Sequence, residues 1–80
     1  MRAEDMKEIL TGQPFTPIRI YLSDGKTYDI THPDQVYVMK SRMIIGTKSD
    51  PETRIVERSE QIALVHVVRV EPLSSMASHP

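Results

Sequence analysis

The stretch SDGKTYDITHPDQ, residues 23 to 35, sets Asp24, Asp29, His32 and Asp34 within thirteen positions. Carboxylates and imidazoles are ligands for hard and borderline metal ions. A carboxylate beside a histidine can also move protons. Either chemistry needs the side chains to converge, and the local pattern argues that they diverge. Asp24-Gly25 is the dipeptide of a tight hairpin, because Gly25 can take φ > 0 without strain. Pro33-Asp34 marks the next turn, and Pro33 biases His32 toward extended backbone. A strand rises about 3.3 Å per residue, which puts Asp24 and Asp34 at opposite ends of one strand, more than about 15 Å apart. Asp29 and His32 differ by an odd number of positions in extended chain and face opposite sides. The expectation is turn and surface roles, with no metal site, no catalytic site and no cofactor.

The other reactive groups are scattered. His66 lies in the run LVHVVRV among aliphatic neighbours. A lone histidine there is expected to be a satisfied core or interface residue, or a polar group lining an opening between subunits. No serine stands in a G-x-S-x-G elbow, and three glycines leave no phosphate-cradling loop. A small-molecule site needs a pocket of some hundreds of Å³, on the order of 300 or more, which so short a chain rarely builds alone. An enzyme is therefore not expected. Among the basic residues, Lys40 and Arg42 flank a short turn and could meet phosphate, with His66 and Arg69 as further candidates for contact with RNA or another partner. The aromatics available for base stacking are Phe15, Tyr21, Tyr28 and Tyr37. The default reading of the charges is solubilising surface.

These residues must be positioned by short elements. In MRAEDMKEILTGQP, Met6, Ile9 and Leu10 recur at helical spacing, Glu4 and Asp5 suit the first turn, and Gly12 and Pro14 end the helix. No Ser, Thr, Asp or Asn precedes Glu4, so this helix must depend on docking its apolar stripe, with help from Phe15. After Pro17 the period changes to two. Ile18, Ile20 and Leu22 alternate with Arg19, Tyr21 and Ser23, the pattern of a half-buried strand. KTYDITH returns with Tyr28 and Ile30 on one face, and QVYVMK alternates again. SRMIIGT is a short apolar strand after a tight turn at Ser41-Arg42, and Gly46 suggests a bulge or bend. KSDPET is a loop. RIVERSEQ reads as strand or extended loop. IALVHVVRVEPL reads as one long strand, apolar on both faces and stopped by Pro72. That double-sided strand places Val65 and Val67 as candidates for self-association.

Composition bounds the rest. Eighty residues with 39% hydrophobic content make one small domain, near the lower limit of independent stability. The domain is expected over residues 1–73, with 74–80 as a disordered tail. There is no cysteine, hence no disulfide and no thiolate metal site, which fits a reducing cytoplasm. The net charge is −1 and the pI about 6.3, without the basic excess of a dedicated nucleic-acid binder. No run approaches a membrane span of about 18 apolar residues, and the acidic start does not resemble a signal peptide. A cytoplasmic, non-membrane protein is expected.

The segments MRAEDMKEIL, QPFTPIRIYLSDGKTYDITHPDQVYV and HVVRVEPL together resemble a family of short uncharacterised bacterial proteins. The shared pattern is M-R-x-E-D, Q-P-F-x-P-I-R-I, S-D-G, H-P-D and a late H-V-V-R-V, spanning Met1 to Leu73. The resemblance implies a stand-alone small domain and carries no activity with it. A looser similarity is to Sm-like barrels, in which a helix precedes five bent antiparallel strands and edge strands pair into rings. IRIYLSDGKTYDI is similar in layout to their first hairpin, and LVHVVRVEP to their closing strand. In the bacterial RNA-chaperone branch that strand carries a Lys-His pair, whereas here Val65 precedes His66.

The reading from sequence is a mainly β protein with one N-terminal helix, folded as a small, strongly bent antiparallel sheet or a five-stranded Sm-like or SH3-like barrel. Its expected role is a non-enzymatic interaction or regulatory module that associates with itself through strand edges and with an unknown protein partner. The alternative is an Sm-like RNA-binding ring.

Overall fold

The structure, a computed structural model, describes residues 1–53 and 55–73. The expected tail at 74–80 lies outside the described residues.

Helix α1 spans Ala3–Thr11, with Glu4 and Asp5 in its first turn and no side chain capping its start. Met6 and Leu10, one turn apart, are buried, and Ile9 packs beside them. The helix is thus held by its docked face, as the weak cap implies. Gly12 follows with φ −58 and ψ 146. Its backbone is extended, so the chain leaves the helix without using a left-handed residue, and Pro14 blocks continuation.

Strand β1 (Ile18–Leu22) buries every second side chain. It pairs antiparallel with β2 (Thr27–Ile30), Ile18 opposite Ile30 and Tyr21 opposite Thr27. The connection is the Asp24-Gly25 turn. Gly25 has φ 89, where a side chain would be strained, and the Asp24 carboxylate accepts a bond from the Lys26 amide at 3.0 Å. A 3₁₀ turn at Pro33–Gln35 leads into β3 (Val36–Val38). Strands β4 (Arg42–Ser49) and β5 (Val56–Ala63) form the longest hairpin. Its register shifts between Gly46 and Lys48, the irregularity that Gly46 suggests in the sequence. A second 3₁₀ turn at Leu64–His66 precedes β6 (Val67–Pro72), which returns to pair with β1.

The strands form two antiparallel sheets of three, in the orders β2-β1-β6 and β3-β4-β5. Among the described residues the hydrogen-bond ladders do not close them into a barrel, so in place of the five-stranded barrel option there are six strands in two sheets. One core joins them. Ile18, Ile20, Leu22, Ile30 and Val67 come from the first sheet, and Val36, Met43, Ile45 and Ile62 from the second. Met6 and Leu10 of α1 and Leu64 of the second turn complete it. Met6, Ile20, Ile30 and Met43 are 0% exposed. At roughly 1.5–3 kcal/mol for each fully buried aliphatic side chain, this cluster supplies the main drive to fold.

The single long strand expected from residue 62 onward is not formed. The 3₁₀ turn at Leu64–His66 divides it, handing the chain from the second sheet to the first. The turn changes the spacing of inward positions. Ile62, Leu64 and Val67 are buried, while Val65, His66 and Val68 are exposed.

Candidate functional site

The four residues of the opening cluster go to three separate places. Asp24 closes the first hairpin. Asp29 meets Arg19 across the β1–β2 pair, with Nε–Oδ1 at 2.6 Å and Nη2–Oδ2 at 3.1 Å. That guanidinium holds the Asp29 carboxyl below the ordinary carboxylate range, chiefly by donating hydrogen bonds to the charged form. His32 and Asp34 lie at the 3₁₀ turn before β3. Among the described residues no three His, Cys, Asp or Glu side chains gather as a metal would require.

Gln35, which the sequence reading passed over, organises this corner. Its side-chain oxygen accepts from the Thr31 amide at 2.8 Å, the Thr31 hydroxyl at 3.0 Å and the His32 amide at 3.0 Å. Its side-chain nitrogen donates to the Gly46 carbonyl at 3.2 Å. One amide therefore ties the end of β2 to β4 in the other sheet. Its position as third residue of a turn opened by His32-Pro33 was the signal available.

A groove of about 360 Å³ runs between the first hairpin and the end of β5, lined among others by Ser23, Lys26, Tyr28, Glu60 and His66. His66 is exposed, not buried as a core histidine would be. The 3₁₀ turn carries it out of the core face. Its Nδ1 lies 3.4 Å from the Ser23 hydroxyl, and its carbonyl accepts from the Ser23 amide at 2.9 Å. A nucleophilic serine would need a base held in position by a third group. The nearest acid in sequence, Asp24, is committed to the Lys26 amide. Across the groove the Tyr28 hydroxyl donates to the Glu60 carboxylate. That bond, with partial burial and the nearby negative charge, pushes the Tyr28 phenol up to about 12.

Comparison with protein-family models, curated proteins and solved structures finds no match to this chain.

The basic candidates do not form one patch. Lys40 is exposed in the β3–β4 turn. Arg42 donates to the Gln61 side chain at 3.0 Å. Arg69 is on the outer face of the other sheet, paired with Glu71 at 3.1 Å and stacked 4.2 Å over the Tyr21 ring. Lys40 and His66 are brought to the same end of the molecule by the Leu64 amide, which donates to the Ser41 carbonyl at 3.0 Å.

The self-association candidates separate. Val67 is 9% exposed and belongs to the core, whereas Val65 is 79% exposed on the 3₁₀ turn. Val68, two positions before Val70 on β6, is 64% exposed. Further exposed aliphatics, Ile55 and Val56, stand at the start of β5. Strands β5 and β6 are terminal in their sheets, so each offers a row of backbone donors and acceptors on one side.

Proposed function

We propose that this chain is a non-enzymatic interaction module that associates with itself through the free edges of its two sheets. One observation carries the reading. Strands β5 and β6 are both sheet-terminal, and both carry exposed aliphatic side chains, Val56 and Val68. An edge of this kind adds a strand from a neighbour at little cost, because the backbone groups are already aligned. The gain is large for so small a domain, whose own core is close to the minimum for stability.

Mass in solution tests this. Light scattering after gel filtration of the tag-free protein is expected to give a small multiple of 9.1 kDa. A mass of one chain at every concentration up to about 0.1 mM, where even weak specific pairs associate, overturns it.

A second reading, the Sm-like RNA-binding ring, is favoured by the Leu64–Ser41 bond, which sets the turn bearing Lys40 beside the turn bearing His66. In that reading β2 and β3, separated only by residues 31 to 35, act as one strongly bent strand, and the six strands count as five. Phosphate contact would make RNA affinity fall steeply with salt and weaken in Lys40→Ala. Co-elution of nucleic acid with an oligomer in the same experiment favours the ring. An oligomer free of nucleic acid favours the protein-interaction module.

A further inference from the structure

The geometry points to a specific register for self-association: two copies pair antiparallel along β5, about a twofold axis at Ser59. The inference rests on the edge-pairing reading above and names which edge and which partner.

Four strands are terminal in their sheets, β2, β6, β3 and β5. Strands β2 and β3 are short, with four and three residues, which leaves β6 and β5 to compete, and they differ. Strand β6 ends in Pro72, which removes a backbone donor. Its cation already has partners, Glu71 in the same strand and the Tyr21 ring of β1. Strand β5 is longer, eight residues against six, and contains no proline. Residues 56 to 61 are all exposed. The ion pairs among the described residues are Arg2–Glu4, Arg19–Asp29 and Arg69–Glu71, and Arg58 takes part in none.

Pairing a strand with its own copy restricts the choices. Residues opposite one another in an antiparallel pair must both direct their backbone groups across the gap, and that direction alternates along a strand. The axis must therefore pass through a residue and not between two. Centring on Arg58 sets two arginines face to face. Centring on Glu57 or on Glu60 does the same with two glutamates. Such like-charge pairs are destabilising. Centring on Ser59 sets Arg58 opposite the partner's Glu60, twice by symmetry, with the small Ser59 side chains at the axis. Glu60 accepts from the Tyr28 hydroxyl through Oε2, which leaves Oε1 for the arginine. The same register sets Glu57 opposite Gln61 and the exposed Val56 opposite Ile62. The β5 bulge at Glu57, where the ladder passes from Arg58 to Val56, leaves the three central positions as the regular part. Charges of both signs on an edge discourage random pairing, and in this order, Glu-Arg-Ser-Glu, they favour one partner, the identical strand. The product is a single six-stranded sheet, β3-β4-β5 continued by β5-β4-β3 of the second copy.

Charge reversal tests the register. Arg58→Glu faces each Glu60 with a like charge, and Glu60→Arg does the same with arginines. Each variant, checked as folded by circular dichroism, is expected to raise the dimer dissociation constant about 10–100-fold, since two cross-strand pairs change sign. The double variant R58E/E60R restores both pairs and is expected to dimerise like the parent. An equimolar mixture of the two single variants is expected to form the mixed dimer, seen by native mass spectrometry, because both of its ion pairs are complementary. Val68→Glu, on β6, is expected to leave the dimer intact. A parent protein that is monomeric throughout overturns this inference together with the reading it rests on. A parent that associates equally well as R58E overturns the register alone. Loss of association in R58E without recovery in the double variant also overturns the register, as does dissociation by Val68→Glu with no effect of R58E.

Discussion

Arg19 and Asp29 face each other across the first hairpin in a two-pronged ion pair, Nε to Oδ1 at 2.6 Å and Nη2 to Oδ2 at 3.1 Å. They are directly opposite in the β1–β2 register. The pair lies on the outer face, opposite Ile18, Ile20 and Ile30, so it reinforces the same register that the core requires. The density of acids in residues 23 to 35 thus has a structural explanation: a turn, a cross-strand pair and a second turn.

The pair gives a pH dependence of known sign. Asp29 titrates below its ordinary value in the folded state, so its contribution to stability is present above the unfolded-state value of about 4 and is lost as pH falls through the lower, folded-state value. The side chains are 31% and 46% exposed, which keeps the effect small. Asp29→Asn is expected to lower the urea midpoint near neutral pH and to converge on the parent toward about pH 2, where both carry an uncharged group. A gap that persists unchanged to that pH would assign the role of Asp29 to something other than its charge.

Tyr28 and Glu60 give a second readout. The Tyr28 phenol is pushed up to about 12, first by its hydrogen bond to Glu60. A raised phenol value favours the neutral form in the folded state. The associated stability is complete below the ordinary value of about 10 and is lost as pH rises through the higher one. Ultraviolet titration of tyrosinate is expected to show one of the three tyrosines ionising late. In Glu60→Ala the late step should move back toward the ordinary range. No change in that variant would rule out the bond as the cause.

Much of the scaffold was legible because one signal dominated each segment. Met6 and Leu10 at helical spacing, the strict alternation of Ile18, Ile20 and Leu22, and Asp24-Gly25 each have one reading, and all three are as expected. Gly46 marks a register shift as anticipated. The last strand failed for the opposite reason. From Ile62 to Val70 nearly every residue is apolar, so the pattern fits strict alternation and also a skip of one position. The 3₁₀ turn at Leu64–His66 is that skip. It follows from a need invisible in local sequence, the passage of the chain from one sheet to the other. The misreading spread to the site, assigning Val67 to a surface and His66 to an apolar face. Strand β5 was ambiguous for lack of any buried residue before Ile62. The same exposure is what makes it a candidate interface.

Gln35 offers a test of how the two sheets are joined. Its amide accepts three bonds at the end of β2 and donates one to Gly46 of β4. Only the bond to Gly46 is partly buried. A buried group left without its partner costs about 1–3 kcal/mol, and the three exposed bonds can be replaced by water. Gln35→Ala is expected to fall in that range by urea unfolding, and Gln35→Glu, which keeps the acceptor and loses the donor, to fall between the alanine variant and the parent. Parent-like stability in the alanine variant would mean that water replaces the whole set.

The division of the last segment makes neighbouring valines behave oppositely. Val67 is 9% exposed and sits in the core cluster, while Val68 is 64% exposed. A glutamate at position 67 would bury a carboxylate with no partner, at a cost of several kcal/mol, comparable to the whole stability of so small a domain. Val67→Glu is therefore expected to abolish the cooperative thermal transition. At position 68 the same substitution places the charge in water, and Val68→Glu is expected to stay within about 0.5 kcal/mol of the parent, the range of ordinary surface changes. A single unbroken strand through residues 62–70 would reverse this order, because strict alternation from Ile62 puts Val68 inward and Val67 outward. Circular dichroism melts of the two variants separate the arrangements, and a folded Val67→Glu beside an unfolded Val68→Glu would overturn the 3₁₀ turn itself.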